Sequence, residues 1–160
     1  MKYDKLQEHF KNEDGMNELL TECQEVFDGI DKLNDKLMEG MLNNPDAVSL
    51  ALQESTGYFG FLSPITKVAE GVKKNEEGRY YVKRKSQYEK DEVTVTTKDK
   101  KNQEVTKTLK FTDASCKREA EVYAIIYRNV RNILQGYLAS ADAIKGACQS
   151  IRKDFENESQ

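Results

Sequence analysis

From Cys116 to Phe155 an apolar or small residue returns after four positions and then after three: Cys116, Ala120, Tyr123, Tyr127, Val130, Leu134, Tyr137, Ala141, Ile144, Cys148, Ile151 and Phe155. A repeat of this length at 3.5 residues per turn has one economical solution, an α-helix whose single seam lies against other helices. With Thr112 or Asp113 to cap it, the helix is expected over 112–157 without a break. About 43 residues at 1.5 Å each reach roughly 65 Å, more than one small domain needs. Ile126 and Ile133 widen the apolar face, and Gly136, Ala139, Ser140, Ala143 and Ala147 add a strip where another backbone can approach closely.

Composition turns this seam toward other subunits. Of 160 residues, 38% are hydrophobic and 33% charged, a polar balance that suits elongated helices better than a self-sufficient globule. A homo-oligomer is therefore expected, held through Tyr123, Tyr127, Val130, Leu134, Tyr137, Ile144, Ile151 and Phe155.

The N-terminal part repeats the pattern. Tyr3, Leu6 and Phe10 suggest a short amphipathic helix, and Asp14 is a plausible cap for a long one. Met16, Leu20, Cys23, Phe27, Ile30, Asn34, Leu37 and Met41 then follow heptad spacing, with Asn34 either fixing register or tipping into solvent. Asn44 caps and Pro45 opens the next helix, where a missing N–H costs nothing, and that helix is expected to reach about Leu62. Ser63-Pro64 repeats this logic, so residues 64–74 form a further helix or a kinked continuation. Asn75 to Gly78 has turn chemistry.

Beyond it the period changes to two. Glu92–Lys98 is rich in β-branched residues, Gln103–Phe111 alternates, and Asp99-Lys-Lys-Asn102 joins them as a hairpin. The expected fold class is mainly α: long amphipathic, coiled-coil-like helices with a small β-hairpin inserted before the C-terminal helix. One helical domain over 1–160 is expected, with acidic N-terminal helices at 1–62, a basic segment carrying the hairpin at 63–111, and the long helix at 112–157.

Charge is divided along the chain although the net is only −3. Residues 1–62 hold 5 Lys/Arg against 13 Asp/Glu, residues 63–118 hold 15 against 9, and residues 119–160 hold 5 against 6. The basic stretch is interleaved with tyrosines: Lys73, Lys74, Arg79, Tyr80, Tyr81, Lys83, Arg84, Lys85 and Tyr88. Cations that neutralise phosphates and rings that stack on bases together make a surface for single-stranded nucleic acid. Lys98, Lys100, Lys101, Lys107 and Lys110 extend it along the hairpin. The plainer alternative is that Tyr80 or Tyr81 packs into the core while the lysines solvate a β-region.

Catalysis has little to work with. The chain has no phosphate-binding glycine loop, nucleophile elbow or paired-histidine zinc motif, and His9 is its one histidine. Cys23, Cys116 and Cys148 are far apart and fall on apolar positions, as reduced core cysteines of a cytosolic protein do. No metal or cofactor is expected, and neither a secretory leader nor a membrane span is read from the sequence.

The order of elements resembles that of the phage UvsY-type recombination mediators. The similarity runs through Arg79-Tyr80-Tyr81, a charged stretch, a helix with the aromatic start Glu121-Val-Tyr-Ala-Ile-Ile-Tyr127, then Ala141-Asp-Ala-Ile-Lys145 and Ile151-Arg-Lys-Asp-Phe155. It covers roughly residues 65–158. In that family a Ser-Gly turn closely follows the Tyr-Tyr element, where this chain has Val82-Lys83-Arg84-Lys85, and the acidic N-terminal helix has no equivalent. The resemblance implies a ring-like homo-oligomer that wraps single-stranded DNA and contacts a recombinase and a single-strand-binding protein. The expected function is thus a non-enzymatic accessory of phage-type recombination or replication in the host cytoplasm. The alternative is a structural or adaptor protein, such as a virion component or coiled-coil scaffold, with no nucleic-acid activity.

Overall fold

Residues 3–38 fold into three helices where two are expected from their pattern: α1 (Tyr3–His9), α2 (Glu13–Glu22) and α3 (Gln24–Met38). They belong to a computed structural model that describes residues 3–90, 93–109 and 113–158. Asn12, and not Asp14, caps α2, its side chain accepting from the Gly15 N–H at 2.8 Å. Asp14 instead joins Glu13 in the first turn, where negative charge complements the helix dipole. Gly15 is required: a Cβ there would lie 2.6 Å from the backbone oxygen of His9.

The boundary between α2 and α3 falls at Cys23, which keeps helical bonding on both sides. Its N–H donates to Leu19 O and its carbonyl accepts from Val26 and Phe27, each at 3.0 Å. The buried face here runs Met16, Leu19, Cys23, Phe27, Ile30 and Leu33. The expected seam therefore shifts by one at both ends: Leu19 replaces Leu20 and Leu33 replaces Asn34, which is exposed. α3 ends in a Schellman turn, with Met41 N donating to Lys36 O, Gly40 N donating to Leu37 O, and Gly40 at φ 68.

Asn44 caps α4 (Pro45–Lys90) through a 2.9 Å bond from the Ala47 N–H, as the Asn-Pro pair predicts. α4 then passes through Pro64 without ending. It also passes through residues 75–78, which correct the expected turn: Lys73–Glu77 at 3.2 Å and Glu76–Arg79 at 2.9 Å are helix-supporting pairs at spacings of four and three. β1 (Val93–Lys98) and β2 (Glu104–Leu109) pair antiparallel, with Val93 opposite Leu109 and Lys98 opposite Glu104. Asn102 N donates to Asp99 O, Asn102 takes φ 62, and Asp99 Oδ1 accepts from the N–H groups of Lys101 and Gln103. Asx side chains favour such turns, and Asn tolerates the left-handed region. The expected strand ends at Glu92 and Phe111, and the cap candidate Thr112, lie outside the described residues.

The C-terminal helix is divided at Ala124 into α5 (Asp113–Tyr123) and α6 (Ile125–Glu158), a correction to the unbroken helix expected. Six helices and one hairpin make the described residues mainly α, with the hairpin before the C-terminal helices. Two compact units divide the chain. The first comprises the described residues up to Gly71 and from Tyr127 onward; the second lies within Val72–Ile126.

In the first unit α3, the early part of α4 and α6 pack together. Phe27 stacks on Tyr137 with ring centroids 4.1 Å apart, and Tyr137 Oη donates to Asp31 at 3.3 Å. Gly29 gives room to the Tyr58 hydroxyl, which a Cβ would strike. Glu70 pairs with Arg131 at 3.0 Å, and Lys145 lies 4.4 Å from the centre of the Phe59 ring. Val48, Ala51, Ser55, Leu62, Ile65 and Ala69 of α4 and Val130, Leu134, Ala141, Ile144 and Cys148 of α6 are all buried. The α6 seam is thus filled by helices of its own chain. Val130, Leu134 and Ile144, expected at a subunit contact, are buried here, while Tyr127, Tyr137, Ile151 and Phe155 are half-buried.

Candidate nucleic-acid interface

The tyrosine-rich basic stretch is helical, so its residues are dealt around α4 instead of forming one face. In the second unit, the side chains that point toward α5 are used there. Tyr80 stacks on Tyr123 with centroids 4.3 Å apart and planes 11° from parallel. Tyr81 Oη donates to Asp113, and Arg84 Nε donates to Glu119. Tyr88 Oη donates to the second oxygen of Glu119 at 2.9 Å, and the Arg84 guanidinium lies 5.2 Å from the Tyr88 ring centre. Cys116, Ala120 and Ala124 are the buried positions of the α5 side.

These contacts set the local electrostatics. The Arg84 hydrogen bond, opposed by partial burial and aided by Tyr88, holds the Glu119 carboxyl below its ordinary range. That bond pushes Arg84 up, and Tyr88 is raised by its own hydrogen bond to Glu119. Asp113 is lowered first by Lys117, then by Tyr81. Burial raises the thiols of Cys116 and Cys148 and pushes Cys23 up to about 11.

The expected nucleic-acid residues therefore separate into two groups. Lys73 pairs with Glu77, Arg79 with Glu76 and Arg84 with Glu119, while Tyr80, Tyr81 and Tyr88 each hold a partner within the unit. Lys74, Lys83 and Lys85 are exposed, and Lys83 makes no ion pair among the described residues. Exposed Lys98, Lys100, Lys101 and Arg118 likewise make no ion pair among the described residues. Lys83 also lies on a groove of about 570 Å³, with Tyr80, Tyr123 and Val82 as its apolar lining and the paired Glu76 and Arg79 on it.

Two participants are not assigned to this site by the sequence pattern. Tyr123, expected at a subunit contact, lies against Tyr80 and is 48% exposed. Glu119, which joins Arg84 and Tyr88, occupies the position just before the seam residue Ala120, where charged residues commonly reach across to a neighbouring helix. That position was its signal. His9 is buried and donates from Nδ1 to Gly15 O at 3.1 Å, a structural placement at the α1–α2 junction.

Among the described residues, no group of three His, Cys, Asp or Glu side chains is placed to hold a metal ion, and no helix is long and apolar enough to cross a membrane. Comparison with family models, curated proteins and solved structures finds no match.

Proposed function

We propose that this chain is a non-enzymatic, oligomeric accessory of phage-type recombination or replication that binds single-stranded DNA through its second unit. The observation that carries the reading is the set of exposed cations Lys83, Lys98, Lys100, Lys101 and Arg118, which make no ion pair among the described residues and come from one helix, the hairpin and a second helix of one unit. Such cations exchange condensed counterions for phosphate contacts without demanding a base sequence. Tyr80 and Tyr123 offer the aromatic surface for bases; Tyr81 and Tyr88 serve the fold. The resemblance to the UvsY-type mediators supports the same reading and adds a recombinase or a single-strand-binding protein as proposed partners.

Fluorescence anisotropy with a poly-dT oligonucleotide tests it. Binding is expected to be salt-dependent, and replacing Lys83, Lys100 and Lys101 together by Ala should reduce the slope of log affinity against log salt by about 2, at near 0.7 per lost phosphate contact. Absence of binding at about 50 mM salt, where phosphate contacts are weakly screened, removes the reading.

A second reading, an adaptor or virion scaffold without nucleic-acid activity, is favoured by one observation. Val82, Val122, Ile125 and Ile126 are large apolar side chains left exposed in this same basic unit. It predicts assembly that responds to salt and is indifferent to oligonucleotide.

A further inference from the structure

Large apolar side chains left in solvent fall mostly in two parts of the chain of opposite charge, and Val82 and Tyr123 of the second part share one groove. Of the nine among the described residues, Met38, Met41 and Leu50 lie around the elbow between α3 and α4. Val82, Val122, Tyr123, Ile125 and Ile126 lie in the second unit, and only Ile133 falls elsewhere. Isolated exposed apolar residues need no explanation, whereas clusters of this kind mark contact surfaces.

At the elbow Met38 is 79% exposed, Met41 57% and Leu50 54%. Met41 and Leu50 edge a shallow hollow there, with Lys36 and Glu54 on its rim. Methionine adapts to irregular surfaces, and it is enriched with tyrosine and arginine in protein contacts. Asp35, Glu39, Asp46 and Glu54 stand around the elbow, with Lys36 as the opposing charge between residues 35 and 54.

The groove beside Tyr80 and Tyr123 has the reverse character. Val82, 63% exposed, shares the lining with Tyr123; Lys83 flanks them, and Arg79 stands there paired with Glu76, which leaves the lining with one net positive charge. Residues 79–85 carry Arg79, Lys83, Arg84 and Lys85 without a carboxylate. The charge of the two units follows suit: Val72–Ile126 holds 14 Lys/Arg against 10 Asp/Glu, leaving 11 against 18 for the rest of the chain.

We infer that the acidic methionine elbow of one copy docks in the basic tyrosine groove of a second copy. Apolar contact supplies the attraction, and the opposite charges select the register and speed encounter. The two surfaces are different, so the contact is head-to-tail and leaves each complex with one elbow and one groove unfilled, able to add further copies. This rests on the oligomer of the proposed function and names its two surfaces; the groove is the one that offers Tyr80 and Tyr123 to bases, so an elbow and a strand compete for it.

Complementation between two blocked variants tests it by sedimentation velocity at low and high salt, with circular dichroism to check folding. Wild-type protein should grow in mass with concentration, less so at high salt. Val82→Asp blocks the groove, and Met38→Asp with Met41→Asp blocks the elbow; each variant alone should stay monomeric. Mixed, they should form a 1:1 complex that grows no further, because the intact elbow of the first fits the intact groove of the second. A monomeric wild type overturns both this inference and the proposed oligomer. Wild-type assembly that either variant retains, or a mixture that stays monomeric, overturns the inference alone. Loss of poly-dT binding by Val82→Asp with assembly intact assigns the groove to a nucleic-acid strand and also overturns it.

Discussion

Arg84 of α4 and Glu119 of α5 are 35 residues apart in the chain and joined by a hydrogen bond between their charged groups. With side chains 26% and 32% exposed, the pair is partly screened, and its coupling energy should be about 1 kcal/mol. Glu119 also accepts from Tyr88, so removing the carboxylate frees two donors. A double-mutant cycle with Arg84→Met and Glu119→Gln measures the coupling; additive effects would show that the contact contributes nothing.

Acid should weaken the second unit through the same carboxylate. Glu119 lies below its ordinary value of 4.5, chiefly because Arg84 donates to it. Its contribution to stability is therefore complete above that ordinary value and is lost as pH falls through the lower folded one. Asp113, lowered by Lys117 and Tyr81, acts in the same direction. The near-ultraviolet tyrosine signal should melt earlier below about pH 4.5, and Glu119→Gln should be less stable at neutral pH with a shallower acid limb. An unchanged acid limb in the variant rejects the assignment.

Leu134 separates an internal seam from a subunit seam. Fully buried in α6, its truncation to Ala should cost about 2–5 kcal/mol. Because the seam is filled by α3 and α4, this loss should be the same at every protein concentration. Thermal melts over a concentration series check it, and a loss confined to dilute samples returns Leu134 to an intersubunit contact.

Gly40 closes α3 at φ 68 with open space where a Cβ would stand. Ala at this position meets no neighbour, so the cost is purely one of backbone conformation, about 1–2 kcal/mol. Urea unfolding of Gly40→Ala gives the value directly, and Gly40→Asn should recover part of it because Asn tolerates the left-handed region better.

All three cysteines are buried, and burial holds the thiolate of Cys23 back to a value of about 11. A thiol-specific chromophore at pH 8 should find almost no fast-reacting group in the folded protein and three after denaturation. A fast native thiol would place one of them at the surface.

The parts legible in the sequence are those decided locally. Asn44-Pro45 starts α4 because capping needs only adjacent residues, and the hairpin between Val93 and Leu109 follows from its β-branched alternation and Asx turn. The α6 seam from Val130 to Cys148 is legible because its heptad spacing matches its buried face. What escaped is tertiary. Residues 75–78 read as a turn by composition, yet the flanking ion pairs and the docking of Tyr80, Tyr81 and Arg84 on α5 hold them helical. The basic stretch looked continuous along the chain, but helical periodicity turns alternate members inward, and Glu119 claims two of them. Ala124, a small residue beside the expected seam tyrosine, takes the buried place and leaves Tyr123 at the groove.

The strand pair that ends in Lys98, Lys100 and Lys101 also behaves as an adjustable ruler. Its turn is closed by the Asp99 carboxylate, which accepts from Lys101 and Gln103, and by Asn102 in the left-handed region, and its register is set by direct pairing from Val93–Leu109 to Lys98–Glu104. Inserting two residues in each strand would carry the lysines outward by about 6.8 Å and keep every side chain on its face, whereas inserting one would turn the faces over. Reach and helix pairing can therefore be tuned separately, and insertions that lengthen this arm in even steps are the changes such a chain tolerates best.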